Sequence, residues 1–302
     1  MYNRRNIIRW SLVIILIVLV FWQVWLIVIT VYNLLLGISD NTSFHPMNLS
    51  HPKIPPIIHQ IWRTTNLSSY PISASYVKWQ KMYPDYTVRL WTDVDLVQLI
   101  SSKEYSYLLE TYRSYPFDIQ RADLARLIVL HYQGGIYADL DVFPRNRSIE
   151  KLRSSGASFI VPRSSSDSTV INHILISEQH SKIVDYLLHN VSPILFYQRI
   201  FLIPYLQVFS TGSVFLTRTL EQWMKSPLYQ NNLLWILSSK QVNSYVGHNA
   251  GRSWHSFDGY FFNFINDLPE QVSSYVGHDA GRSWHSFDGY LFNFINDLPE
   301  IS

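Results

Sequence analysis

The chain contains no cysteine, which removes disulfide staples, thiolate metal sites and a cysteine nucleophile together. Charge is scarce, with 15% of the 302 residues Asp, Glu, Lys or Arg, against about 25% in soluble chains. An excess of either sign is also missing. Lys+Arg 24 against Asp+Glu 22 gives a net +2, so there is no electrostatic case for a nucleic-acid partner. With 47% hydrophobic residues, the chain is not a disordered one, and part of it is expected to lie outside water.

That part is at the N-terminus. Every residue from Leu12 to Trp22 is apolar, and after Gln23 the run resumes through Ile29 and on to Leu36. It exceeds the ~20 residues a helix needs to cross a bilayer, and it is longer and bulkier than the ~7–15-residue core of a cleaved signal peptide. Arg4, Arg5 and Arg9 precede it, and the next basic residue is Lys53. The positive-inside rule then places residues 1–9 in the cytosol, a signal-anchor at 10–36 in the bilayer, and the remainder on the lumenal side. N-x-S/T triplets at Asn41, Asn48, Asn66, Asn146 and Asn190 all follow the anchor, as a body in the secretory pathway requires. Residues 37–53 are polar, carry Gly and Pro, and read as a stem.

Beyond the stem, strand-like and helix-like runs alternate. Strands are expected at 54–62, 86–92, 136–143 and 157–163, and helices at 73–84, 93–100 and 118–133, with Asp93 as an N-cap and Gly134-Gly135 as a stop. This alternation argues an α/β layered fold. Residues 241–270 and 271–300 differ only at Asn243/Ser273, Asn249/Asp279 and Phe261/Leu291. Two copies are too few for a solenoid, so 271–302 is read as a duplicate of a segment of which one copy does the work.

GGIYADLD puts Asp139 and Asp141 two apart on an expected strand, which would aim both carboxylates to one face. Paired carboxylates call for a shared proton or a shared cation, and a hard divalent ion suits them beside glycines that admit a ligand. A solvated strand end is the alternative for the triplet alone. In the preceding helix, Asp123 and Arg126 lie three apart on one face of a segment otherwise apolar nearly all round. An intrahelical ion pair would account for them, but burial would demand further polar partners.

QRADLARLIVLHYQGGIYADLD resembles the core motif of the DXD-containing, sugar-binding glycosyltransferases, which are nucleotide-sugar-dependent enzymes of GT-A fold. IPPIIHQIW, YPDYTVRLWTD, IPYLQVFSTGSVFLT (203–217) and the later H-x-x-G-x-S-W-H are similar to segments of one branch, the inositol phosphoceramide mannosyltransferases. Ser213 stands where that branch carries proline, which should leave the loop after Gly212 less rigid. The resemblance implies a GT-A domain over 54–270. Asp141 would sit on the metal, with Asp139 partly on it and partly on the ribose or sugar. Asp123 and Arg126 would hold the donor sugar and diphosphate. Ile61 and Trp62 would receive the base, and Trp254, with Asp258, would line the donor pocket. His248, or its copy His278, would be the C-terminal metal ligand; His248 is preferred as nearer the body. His59, His131 and His173 are assigned hydrogen-bonded structural roles.

The implied cofactors are Mn²⁺ (or Mg²⁺) and a nucleotide-sugar donor, GDP-mannose or alternatively UDP-galactose. The implied partners are the bilayer, a glycolipid or glycan acceptor, and a regulatory subunit. The implied activity is retaining hexosyl transfer, with mannose onto a sphingolipid headgroup ahead of galactose onto a glycolipid or glycan, in the Golgi or ER membrane as a single-pass type II protein. A non-catalytic sugar-binding paralogue is the contrasting reading.

Overall fold

The computed structural model describes residues 4–35, 44–70, 73–164, 169–193, 211–228 and 233–248. Helix α1 (Arg4–Leu35) has 32 residues and is about 48 Å long at 1.5 Å per residue. Its Ile8–Trp25 stretch is long and apolar enough to cross a membrane, and none of it is buried inside the protein.

The body follows as β1 (Ile57–Ile61), α2 (Tyr76–Met82), β2 (Thr87–Trp91), α3 (Asp93–Ile100), α4 (Leu109–Ser114), α5 (Asp118–Gln133), β3 (Gly135–Ala138) and β4 (Val142–Pro144). It continues as α6 (Glu150–Arg153), β5 (Phe159–Pro162), β6 (Ile174–Ser177), α7 (Lys182–His189), α8 (Ser213–Lys225), β7 (Leu234–Leu237), α9 (Ser239–Tyr245) and β8 (Val246–His248). Six strands form one sheet in the order β2-β1-β3-β6-β5-β7, and β4 pairs with β8 in a small second sheet. β1 is parallel to β2 and β3, β5 is parallel to β7, and β6 runs antiparallel to both β3 and β5.

Alternation along the strands sorts side chains onto two faces. Tyr137, Phe159, Val161 and Leu175 pack with α5, α7 and α8, whereas Ile136, Ala138, Ile160, Ile174 and Ile176 pack with Trp79, Leu152 and Val242 from α2, α6 and α9. The result is the expected α/β arrangement, a sheet covered by helices on both faces. Helix α5 is buried as its nearly all-round apolar sequence predicts, with Leu124 to His131 buried without interruption.

Three local expectations are corrected. The cap of α3 is Thr92 rather than Asp93. Thr92 Oγ1 accepts from the Asp95 amide at 3.3 Å while Asp95 Oδ2 accepts from the Thr92 amide at 2.8 Å, a reciprocal box that satisfies two otherwise unpaired donors. The strand expected over 136–143 ends at Ala138. The Asp139 amide turns to the carbonyl of His173 at 2.9 Å and the Val142 amide to that of Asp139 at 3.0 Å, so the chain crosses from the large sheet to the small one through a turn. Ser213 lies in no loop, because it is the first residue of α8, where a proline would also fit.

Where α5 gives way to β3 the backbone takes positive φ at Gly134 (64°) and Gly135 (98°). A Cβ on Gly135 would stand 2.5 Å from the Ile57 carbonyl oxygen. Trp91 Nε1 donates to His59 Nδ1 at 3.0 Å, leaving Nε2–H to donate to the Gly134 carbonyl at 2.7 Å. Burial lowers the His59 pKa to about 4, so the ring is neutral, and its structural assignment fits this geometry. Gly135→Ala is expected to cost roughly 2–4 kcal/mol from backbone strain and clash, read as a lower thermal midpoint of the full chain. An unchanged midpoint would contradict the close approach of β3 to β1.

Candidate active site

The parallel strands β1, β2 and β3 end on one edge, the edge at which open α/β sheets collect ligands. Ile61 and Trp62 leave β1, Asp93 follows β2, and Asp139 follows β3; all line a cleft of about 400 Å³, within the range of small-molecule sites. Asp141 and Arg126 line it too.

Arg126 is the centre of the polar end and is only 2% exposed. One terminal nitrogen pairs with Asp123 Oδ1 at 3.0 Å. The other donates to the Asn172 carbonyl at 2.6 Å and lies 3.5 Å from Asp139 Oδ1. Nε donates to the Ala122 carbonyl at 3.3 Å, and the guanidinium carbon stands 4.9 Å from the Tyr137 ring centroid. Burial works against this charge, but Asp139, then Tyr137 and Asp123, outweigh it and hold the pKa above the usual arginine value.

Each carboxylate beside Arg126 has its own support. Asp123 Oδ1 accepts from Asn172 Nδ2 at 2.7 Å and Oδ2 from Thr211 Oγ1 at 2.8 Å. Burial raises its pKa to about 6, against the opposing pull of Arg126. Gly212 packs on this carboxylate, where a Cβ would meet Asp123 Oδ2 at 3.3 Å. Asp139 Oδ1 accepts from the Tyr137 hydroxyl at 2.6 Å, and its side chain is 29% exposed. Burial raises its pKa as well, with Arg126 opposing.

Asp141 meets the C-terminal histidine. In the small sheet Val142 is in register with His248, which brings His248 Nε2 to 3.4 Å from Asp141 Oδ1. Two donor atoms held in cis by an octahedral cation at ~2.1 Å would be about 3 Å apart. His173 stacks on His248 with ring centroids 4.4 Å apart and planes 15° apart. Burial, then His248 and Arg126, keeps the His173 pKa well below the ordinary histidine value. His173 therefore gives His248 a neutral wall.

At the cleft's other end Trp62 is half-buried. Its Nε1 donates to Ser69 Oγ at 2.8 Å, and Tyr70 meets its ring edge-on at 4.9 Å. This Trp is held at the cleft wall instead of filling the core, which leaves the base-stacking assignment open to it. Ile61, Trp62, Arg126, Asp139 and Asp141 thus line one cleft, with Asp123 joined to it through Arg126 and His248 through Asp141. Trp254, Asp258, His278 and the second tail copy lie outside the described residues. Asn172 was missed and carries no motif signal; Tyr137 was also missed, although it sits within GGIYADLD. Thr211 and Gly212 belong to the STG segment already noted in the sequence but had received no role.

A family profile described as "Glycosyltransferase sugar-binding region containing DXD motif" matches residues 72–158, a stretch that contains Asp123, Arg126, Asp139 and Asp141. The inositol phosphoceramide mannosyltransferase 1 of Schizosaccharomyces pombe is 30% identical, covering 76% of this chain and 70% of that protein. The chain belongs to the DXD-motif glycosyltransferase family. The inositol phosphoceramide mannosyltransferase 3 of the same yeast is 31% identical over 75% of this chain. The mannosyl phosphorylinositol ceramide synthase CSH1 of Saccharomyces cerevisiae is 31% identical over 71%. The chain spans 63% and 56% of those two proteins' lengths.

The hydroxyl of Thr211 donates to Asp123 and so favours its charged form. Affinity for a nucleotide sugar is expected to fall as pH drops through about 6, where Asp123 takes up its proton. Thr211→Val should move that midpoint up by about one unit, as read by calorimetric titration across pH. A midpoint that does not move would show that Asp123 is not the group whose protonation governs binding.

Proposed function

We propose that the chain is a membrane-anchored, metal-dependent, retaining glycosyltransferase that moves mannose from GDP-mannose onto a sphingolipid headgroup such as inositol phosphoceramide. The observation that carries this reading is the approach of His248 to Asp141, 3.4 Å apart, where Asp141 lines the same cleft as Arg126 and Asp139. The names of the relatives from the two yeasts support the sugar and the acceptor.

The donor set fits a divalent ion. Two hard carboxylates and one imidazole from Asp139, Asp141 and His248 suit Mn²⁺ (or Mg²⁺). When bound, such an ion supplies Lewis-acid stabilisation of the diphosphate leaving group. Arg126 adds a fixed positive charge that needs no reorganisation as negative charge builds on the departing diphosphate. Asp123, held by Asn172 and Thr211, accepts from donor-sugar hydroxyls and fixes the ring's orientation. Trp62 stacks on the nucleotide base. Helix α1 anchors the body as a single-pass type II protein with its cleft on the lumenal side of the Golgi membrane, which keeps a lipid-borne acceptor within reach.

The test reconstitutes the full chain into vesicles containing inositol phosphoceramide and supplies GDP-mannose with Mn²⁺. Mannosylated lipid is expected, with UDP-galactose inert and Asp141→Asn at least about 100-fold slower. Galactosyl transfer would replace the donor assignment. GDP-mannose binding without lipid transfer would replace the acceptor. Absence of nucleotide-sugar binding altogether would end the enzyme reading.

A further inference from the structure

His131 lies on α5 eight residues beyond Asp123, about 12 Å along the helix. It is 8% exposed, and two partly exposed side chains converge on it from separate segments. Glu104 comes from the turn after α3 and His180 from the turn before α7. His131 Nδ1 is 3.7 Å from Glu104 Oε1, and His180 Nδ1 is 3.6 Å from the same oxygen. One donor atom from each of the three lies within 4.8 Å of the others.

Ligands of a tetrahedral Zn²⁺ at ~2.0–2.1 Å are about 3.3 Å apart. Glu104 and His180, at 46% and 53% side-chain exposure, can rotate to close the difference. Two features hold the imidazoles in place. The His180 amide donates to the His131 carbonyl at 2.9 Å, and His180 sits at φ 52°, the only positive φ among described non-glycine residues. That backbone is disfavoured for an L-residue, and such strain concentrates where a side chain must be aimed. The opposite nitrogen of His131, Nε2, faces Asp185 Oδ1 at 3.9 Å, and a carboxylate behind the imidazole is the usual support of a metal-bound histidine.

We infer that Glu104, His131 and His180 form a second divalent-cation site, separate from the DXD cleft and built for a Zn²⁺-class ion. Two imidazoles and one carboxylate prefer Zn²⁺ to Mn²⁺ or Mg²⁺, so the two sites differ in the ion they select. A cation here ties the turn after α3, the C-terminal end of α5 and the start of α7 together, and it does so on the helix that carries Asp123 and Arg126. Tyr105 is the competitor: its hydroxyl bonds His131 Nδ1 at 2.8 Å and must yield to the ion. Burial lowers the His131 pKa, with His180 adding to the effect, and a neutral ring is the form that binds metal.

The probe is Co²⁺, and then Zn²⁺, added alone to the full chain in detergent. The wild type and Asp141→Asn should both show the visible bands of tetrahedral cobalt, and Zn²⁺ should raise the thermal midpoint of both. Glu104→Gln combined with His180→Asn should lose the bands and bind Zn²⁺ at least about tenfold more weakly. Asn tolerates the left-handed backbone, and a metal-free midpoint near that of the wild type verifies folding. Tyr105→Phe should bind as well as the wild type or more tightly. Bands that persist in the double variant, or that vanish in Asp141→Asn alone, would overturn the site.

Discussion

Arg126 carries a full charge in the interior, and a buried cation persists only where carboxylates and carbonyls replace its water. Its planar fork meets that demand in several directions at once, reaching Asp123, Asp139 and the carbonyls of Ala122 and Asn172. A lysine ammonium could not reproduce such a spread. The same contacts bind α5 to the end of β3 and to the segment before β6, so the groups that shape the polar end of the cleft also join the layers of the fold. Removing one partner would leave charge buried and uncompensated, which costs far more than the loss of one surface pair.

The rest of the site hangs on this centre. Gly134 and Gly135 let β3 start against β1 directly after α5, which sets how far Asp139 projects from the sheet edge. The turn after Asp139 then hands the chain to the small sheet, where pairing with β8 delivers His248 to Asp141. His173 serves both sides, since its carbonyl accepts from the Asp139 amide and its ring stacks on His248. The site is therefore assembled from several chain segments, placed by backbone pairing at β4–β8 and at the start of β3 and tied together by the side-chain contacts of Arg126.

What could be read from the residues was the part written locally. Helix α5 was legible because its apolar residues run almost all round and two glycines end it, so both its burial and the anomaly of Asp123 and Arg126 showed in sequence. The Asp139–Asp141 pair was legible in sequence as two close carboxylates, but the geometry expected for it was wrong. It was placed on one face of a strand, whereas a turn brings it to the cleft, because the Asp139 amide bonds the His173 carbonyl and stops the strand. Thr92 outranked Asp93 as a cap because its partner, Asp95, closes a box that Asp93 could not form. The supports of Asp123 were hidden for another reason. Asn172 and Thr211 lie 49 and 88 residues away, and no local period links residues joined only by the folded chain. His248 was found through resemblance, and its proximity to Asp141 rests on a β4–β8 pairing that hydrophobic pattern did not signal.

The Arg126 fork organises the polar end of the cleft and the fold together. The most direct test of this is GDP binding with Mn²⁺ by calorimetry, alongside thermal unfolding, for Arg126→Lys, which keeps the charge and removes the fork. Affinity is expected to fall by about tenfold or more and the thermal midpoint to fall with it. Wild-type values for both would contradict the account.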